Sequence, residues 1–278
     1  MDIRPSPIAG TWYPGSAPEL ERSIDAMLDE ASRVDTRGRI IALVVPHAGH
    51  RYSGHVAAAA YKQICTLDPD LVIVVSPIHR PYRAPILTSA HDAYGTPLGL
   101  IPVDQDALSA FNQSLERTIN ITAFPVHRDQ EHALEIQLPF LQRALAEPFR
   151  LLPIMISDTR PSRVEAVGHA LAVAAAKRNA LIIASSDLSH FYPQEVARAL
   201  DHEMLSRITA MQPDRVLAAE REGSGFACGR AAIAAVLIAA KEMGVNAAKL
   251  LSYATSGDIT GDEQSVVGYG SVMLLHQP

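Results

Sequence analysis

Four apolar runs of strand length constrain this chain more than any other feature of its sequence. Residues 40–45 read Ile-Ile-Ala-Leu-Val-Val and stop at Pro46, residues 71–75 read Leu-Val-Ile-Val-Val and stop before Ser76 and Pro77, and residues 151–156 and 181–184 repeat the pattern. Such strands present apolar side chains on both faces, a condition met by a largely parallel sheet held between two layers of helices. The intervening segments have helical spacing. Leu20, Ile24, Met27 and Leu28 follow a Ser16 and Glu19 capping box, and residues 56–64 form a second helix. Leu108, Phe111 and Leu115 follow the cap residue Asp104, and Leu134, Leu138, Leu141 and Leu145 share a helix that Pro139 kinks or begins. Further helices are expected at 161–177, after Pro193 with Val196, Leu200 and Leu205 inward, and at the Ala-rich residues 229–243, ended by Gly244. Weaker strands fall at 85–89 and 98–103, and strands at 250–254 and 266–275 close the chain. With no linker and no repeat, residues 1–278 are expected to form one domain, a three-layer α/β/α sandwich around a mostly parallel or mixed central sheet.

Composition narrows the partners. At 48% hydrophobic and 19% charged residues, a chain of this length buries a large core and reads as a soluble globular protein. A net charge of −6, from 24 basic against 30 acidic residues with no basic cluster, gives nothing to displace counterions from nucleic acid. The longest apolar run, residues 231–240, is about half of the roughly 20 residues a membrane helix needs. Two cysteines, Cys65 and Cys228, make neither a disulfide framework nor a four-thiolate zinc site, and with no secretory signal the expected location is the cytoplasm. No nucleotide-binding glycine loop is present.

The reactive side chains cluster by position. His47 follows the first buried strand after one proline, His79 follows the second, and Asp187 and His190 follow the strand at 181–184. The carboxyl ends of strands in an open α/β sheet border the crevice where ligands bind. His47 and His79 are separated by the length of one βαβ unit, so neighbouring parallel strands are expected to bring the two imidazoles together. Cys228 lies in the turn Gly225-Phe226-Ala227-Cys228-Gly229-Arg230, where a helix N-terminus would lower a thiol pKa and favour a nucleophile or a metal ligand. A single loop histidine is ordinarily a surface or hydrogen-bonded residue, and a lone cysteine a small buried one; the coincidence at three strand ends favours function. In Glu131-His132-Ala133-Leu134-Glu135, His132 and Glu135 are expected on one helix face, but Ile136 stands where an inverted zinc-protease motif needs a second histidine. His50, beside Gly49, reads as support, and Trp12 covers the sheet edge or lines a cleft.

Taken together, Ala9-Gly10-Thr11-Trp12-Tyr13-Pro14, Pro46-His47-Ala48-Gly49, Tyr52-Ser53-Gly54, Glu131-His132-Ala133-Leu134-Glu135, Ser185-Ser186-Asp187-Leu188-Ser189-His190 and Cys228-Gly229-Arg230 resemble the Memo-like proteins in order and spacing. Bacterial and archaeal members of that family are called AmmeMemoRadiSam system protein B. The resemblance spans nearly the whole chain and implies a fold similar to the class III extradiol dioxygenases, which hold Fe(II) with two histidines and a glutamate beside an acid/base histidine. Motif by motif, it implies His47 and His79 as metal ligands, Cys228 as the third ligand in place of the carboxylate, and His190 with Asp187 as the acid/base pair. Two imidazoles and a thiolate suit Fe(II), with Cu(I) or Zn also possible, rather than magnesium or calcium. His132, Glu135, Arg230, His50 and Trp12 are then expected to support the ligands or touch a small substrate. The sequence departs from the family at His50, where tyrosine is common, and at Ser76-Pro77-Ile78-His79, where Gly-Pro-Asn/Ser-His is common. The resemblance implies an Fe(II)-dependent oxidoreductase of dioxygenase type, with AMMECR1-like and radical SAM proteins as partners. Two alternatives remain open: a non-catalytic protein that binds iron, copper or a peptide, and a metal-free hydrolase with Cys228 as nucleophile, His190 as base and Asp187 as orienter.

Overall fold

A computed structural model of the chain describes residues 1–278. The first half of the chain runs β1 (Ile3–Arg4), α1 (Ala17–Glu30), β2 (Arg39–Val45), α2 (His50–Tyr61), β3 (Leu71–Pro77), β4 (Ile86–Ser89), β5 (Ala93–Thr96), β6 (Gly99–Pro102), α3 (Gln105–Ile119), β7 (Phe124–Val126) and α4 (Leu138–Ala144). The second half runs β8 (Arg150–Ile156), α5 (Pro161–Ala175), β9 (Ala180–Ser185), β10 (His190–Tyr192), α6 (Gln194–Thr209), α7 (Pro213–Ala218), α8 (Arg230–Glu242), β11 (Ala247–Thr255), α9 (Ser256–Thr260) and β12 (Val266–His276).

Nine strands form the central sheet in the order β10-β12-β2-β9-β3-β8-β4-β7, with β11 paired to the outer side of β12. The four strands β2, β9, β3 and β8 are mutually parallel, and antiparallel β12 and β4 flank them, so the sheet is mixed. Alternate side chains feed two cores. Ala42, Val44, Ile73, Val75, Ile182 and Ala184 pack with residues of α3, α5, α6 and α8, whereas Leu43, Val45, Val72, Val74, Leu181 and Ile183 pack with α1, α2 and α4. Helices on both faces of a mixed sheet make this a three-layer α/β/α sandwich.

Several expectations change in detail. The strands that lead to His47 and His79 are not neighbours, because β9 inserts between them and pairs with both. The order places three strand ends side by side, and the end of β9 carries Ser185 and Asp187 between the two histidines. Residues 98–103 are not a strand of the central sheet; β6 pairs with β5 in a small separate sheet with β1, and only Val103 touches the central sheet, by an isolated bridge to Leu151 of β8. Helix α2 begins at His50, earlier than the apolar run alone indicates, and passes into a 3-10 turn at Lys62–Ile64. Pro139 occupies the first turn of the short α4, preceded by a 3-10 turn at Glu135–Gln137. Helix α6 buries Ala197, Asp201, Met204, Leu205 and Ile208, while Val196 is exposed, so its inward face is rotated from the expected one. At the start of α1 Ser16 donates to the Glu19 carboxylate, so the two side chains bond each other in place of a reciprocal capping box.

Candidate metal centre

The carboxyl ends of β2, β9 and β3 bring four reactive side chains to one edge. Pro46 ends β2 and His47 follows; His79 lies two residues beyond β3; Cys228 lies two residues before α8. His132 comes from the loop between β7 and the 3-10 turn at Glu135–Gln137. Gly229 makes the approach of α8 possible: its amide donates to Ser186 Oγ at 2.9 Å, and a Cβ on it would lie 2.5 Å from the Ser185 carbonyl oxygen. Any side chain at Gly229 would therefore push Cys228 away from the strand ends.

The three imidazoles converge. One ring nitrogen from each of His47, His79 and His132 lies within 4.8 Å of the other two. Ring centroids are 5.2 Å apart for His47 and His79, 5.4 Å for His47 and His132, and 4.6 Å for His79 and His132. Imidazoles bound to one ion at about 2.1 Å have centroids about 4.5 Å apart at right-angle positions and about 5.2 Å apart at tetrahedral ones. The centroid spacing is in the range of a shared ion, but the His79 and His132 rings are stacked at 20°, so one of them would have to turn for all three lone pairs to meet. Cys228 Sγ lies 3.1 Å from His47 Nε2.

Hydrogen bonding fixes which nitrogen His47 and His79 offer. Ser185 gives its hydroxyl proton to the Ala133 carbonyl at 2.6 Å and accepts from Gln137 Nε2 at 2.8 Å. It can therefore only accept from His47 Nδ1, 3.1 Å away, which leaves the Nε2 lone pair of His47 directed at Cys228. Glu131 does the same for His79: its carboxylate accepts from the His79 backbone N–H at 2.5 Å and from Nδ1 at 2.9 Å. The ring of His132 packs against both His79 and Trp12, with ring centroids 4.6 and 4.1 Å away.

Electrostatics keep most donors neutral. Burial, with the neighbouring His79, lowers His47 to about 3, and burial, with His47, lowers His132 to about 4. Burial would also lower His79, but the Glu131 hydrogen bond and charge outweigh it and hold His79 above the usual histidine value. Burial would raise Glu131, yet the His79 ring and backbone N–H groups bring it down to about 2. The Cys228 thiol is not activated as its helix position suggests. Burial and the Asp187 carboxylate push it well above the usual range, so without a cation it remains S–H and donates to His47 Nε2.

Asp187 does not orient His190 by a hydrogen bond. Its Oδ1 accepts from the backbone N–H of His47 at 2.7 Å and of Ala48 at 3.3 Å, so it anchors the turn after β2. His190 Nδ1 is buried without a partner, and the ring packs edge-on to Phe226. Burial lowers His190 against the pull of the nearby Asp187 charge, while burial raises Asp187 itself. A Cys228, His190 and Asp187 hydrolase relay is not assembled, since the thiol meets His47 and Asp187 bonds to backbone.

The expected supporting residues divide. Arg230 turns away from the strand ends and pairs with Glu220 at 2.5 Å near the surface, because the first turn of α8 points its long side chains toward α7. His50 is buried between Tyr13 and Phe140, its ring nitrogens unpartnered, and burial lowers it to about 4; it belongs to the core. Glu135 does not share a helix face with His132, which precedes any helix. Instead it is fully buried and accepts from Arg4 at 2.5 Å, from Tyr13 at 2.7 Å and from Ser6. Arg4 also grips Asp129 through two nitrogens, at 2.7 and 2.8 Å, and donates to the Glu131 carbonyl at 2.9 Å. Glu135 thus supports the loop that presents Glu131 and His132.

Sequence reasoning passed over Arg4, Asp129, Glu131, Ser185 and Gln137. Glu131 and Ser185 stood inside motifs already singled out, and a carboxylate next to a candidate ligand was the available signal. Arg4 had none.

A second grouping, Asp2, His91 and His127, lies elsewhere. There the Arg128 N–H donates to His91 Nε2 at 3.0 Å, which leaves the proton on Nδ1, 3.0 Å from the Asp2 carboxylate. His91 then offers no free lone pair to a metal.

The fold and this edge define a class: an α/β/α sandwich with three histidine side chains close enough together that they could hold a metal where three parallel strands end. The chain belongs to the Memo-like protein family, whose family model matches residues 4–273. It is 36% identical to a MEMO1 family protein of Nitrosopumilus maritimus over 98% of this chain and 100% of that one. It is 35% identical to one of Methanococcoides burtonii over 98% and 100%, and 32% identical to one of Methanopyrus kandleri over 96% and 97%. No helix is long and apolar enough to cross a membrane.

Proposed function

We propose that this protein is a non-haem metal protein with an Fe(II) centre held by His47, His79 and Cys228, acting as an oxidoreductase on a small substrate. The observation that supports the reading is that hydrogen bonds at Nδ1 leave Nε2 free on both His47 and His79, whose rings lie 5.2 Å apart, with the Cys228 sulfur 3.1 Å from His47 Nε2. Neutral imidazoles with a thiol favour Fe(II), Cu(I) or Zn over magnesium or calcium, which take oxygen ligands. A bound Fe(II) would supply one-electron chemistry and open coordination positions.

The chain's own residues do the rest. Cys228 gives up its proton when a cation replaces the hydrogen bond to His47. His190, which burial holds below the usual histidine value against the pull of the nearby Asp187 charge, moves a proton at the substrate. The half-exposed ring of His79, with a side chain 36% exposed against 2% for His47, marks the side on which a substrate enters.

Anaerobic titration of the metal-free chain with Fe(II), Zn(II) and Mg(II), followed by oxygen uptake with candidate reductants, tests the reading. It requires one Fe(II) per chain, no competition by Mg(II), and oxygen consumption that His190→Ala abolishes while keeping the metal. Stoichiometric metal with no oxygen consumption for any reductant would favour a binding protein instead.

A further inference from the structure

We infer that Phe191 is a specificity-determining residue of this site, its ring the seat for the apolar body of an uncharged, amphipathic small substrate whose polar end turns to His190. The inference rests on the metal-centre reading above and names the class of molecule the centre receives.

The backbone singles Phe191 out. His190 and Tyr192 of β10 pair with Val267 and Val266, consecutive residues of β12, so Phe191 is the extra residue of a β-bulge. Its φ is 64°, in the left-handed region that such a bulge ordinarily gives to glycine. Asn120, Arg128, Lys177 and Met211 also have positive φ, but none of them is aromatic or lies in a strand. The surroundings hold the conformation in place. The Leu188 N–H donates to the Gly268 carbonyl at 2.8 Å, and the Gly268 N–H donates to the Ser189 carbonyl at 2.9 Å. The buried Asp201 carboxylate accepts from the Ser189 N–H at 2.8 Å and from the Tyr253 hydroxyl at 2.8 Å. A side chain at position 268 would collide with that carboxylate, so only glycine closes the turn. Strain kept in place by so many contacts is characteristic of a binding or catalytic site.

The bulge changes what the ring meets. In a regular strand successive side chains point to opposite faces. Here the Phe191 ring packs edge-on to its neighbour His190, with centroids 5.8 Å apart. Phe226, two residues before Cys228, meets the same imidazole edge-on at 5.6 Å. His190 is close enough to His47 and His79 for their charges to interact. Phe191 nevertheless remains 75% exposed, so its ring contributes little to the core. Neither phenyl ring offers a hydrogen bond. A molecule seated on them therefore contributes apolar atoms there and turns its polar group to His190, whereas a charged body would lose hydration with no compensating partner on either ring.

The probe 2-naphthol, uncharged near neutral pH, has an apolar body and one hydroxyl, and quenches by energy transfer the fluorescence of Trp12, the one tryptophan of the chain. Titration of the metal-free full-length chain is expected to saturate. Phe191→Gly should weaken binding at least about tenfold, the loss of one apolar contact, and Phe191→Tyr should bind within about threefold of wild type. Phe191→Gly should also melt no lower than wild type, since relief of the left-handed backbone outweighs the added chain entropy of glycine. Zn(II) uptake should be equal in wild type and Phe191→Gly, because Phe191 carries no donor. Equal 2-naphthol affinity in Phe191→Gly, no saturable quenching in wild type, or a lower melting temperature in Phe191→Gly would overturn the inference. So would a dimeric wild type that Phe191→Gly makes monomeric, since the ring would then be covered by a second copy. A wild type that takes up no Zn(II) would instead sink the metal-centre reading, and the metal-free titration keeps the two failures apart.

Discussion

Ser185 Oγ lies 3.1 Å from His47 Nδ1, and because its own proton goes to the Ala133 carbonyl it can only accept there. A hydroxyl at the end of β9 thereby sets the tautomer of a histidine that follows β2, and the two strands are hydrogen-bonded neighbours at Val45 and Ser185. Ser185→Ala removes this control without touching a donor atom. The expected result is a loss of about ten- to a hundredfold in metal affinity with little change in fold, read by competition against a chromophoric chelator. Affinity equal to wild type would mean that the bond is incidental.

Protons compete with the metal at this centre, and the sign is set by two groups. His79 sits above the usual histidine value and Cys228 above the usual thiol value, so both hold protons more firmly than free side chains and must release them on binding. Zn(II) affinity is expected to rise steadily from about pH 6 to about pH 8, with proton release detectable in a weakly buffered titration. A flat profile over that interval would contradict the donor assignment.

Arg4 is buried with Asp129 and Glu135, and its removal strands two carboxylates in the core. Arg4→Met should cost about 3–5 kcal/mol in denaturant unfolding. A loss below about 1 kcal/mol, the worth of a surface pair, would show that water reaches the cluster.

The N-cap of α3 provides a pH-dependent test away from the centre. Burial alone would raise Asp104, but the Ala107 N–H, at 2.9 Å, and Arg178 outweigh it and hold the carboxyl below its ordinary range. A depressed folded value means stability that is present above the unfolded carboxylate pKa and lost as pH falls through the folded one. Asp104→Ala should cost about 1 kcal/mol at neutral pH and less in acid, where wild type has already lost the contribution. An equal cost at both would contradict this role.

The layers of the fold were legible because buried parallel strands leave continuous apolar runs, and β2, β3, β8 and β9 lie where those runs do. Their order was not, since nothing local to residues 40–75 says that a strand from residues 180–185 will insert between two earlier ones. The same limit applied to the centre. His47, His79 and Cys228 could be picked out because strand ends and a glycine turn mark them, but Arg230 could not be told from a surface residue, as the direction of its side chain depends on α7. His132 was displaced in the reading by a helix that starts later than its periodicity indicates. Arg4 lies in a strand of two residues with no pattern, and its burial follows entirely from Asp129 and Glu135, residues remote in sequence.

The most direct measurement of the central claim is elemental analysis of the chain after anaerobic purification, on wild type, His47→Ala and His190→Ala side by side. The account predicts close to one iron per wild-type chain, iron retained in His190→Ala and none in His47→Ala. No transition metal in the wild type, or equal retention in His47→Ala, would contradict it.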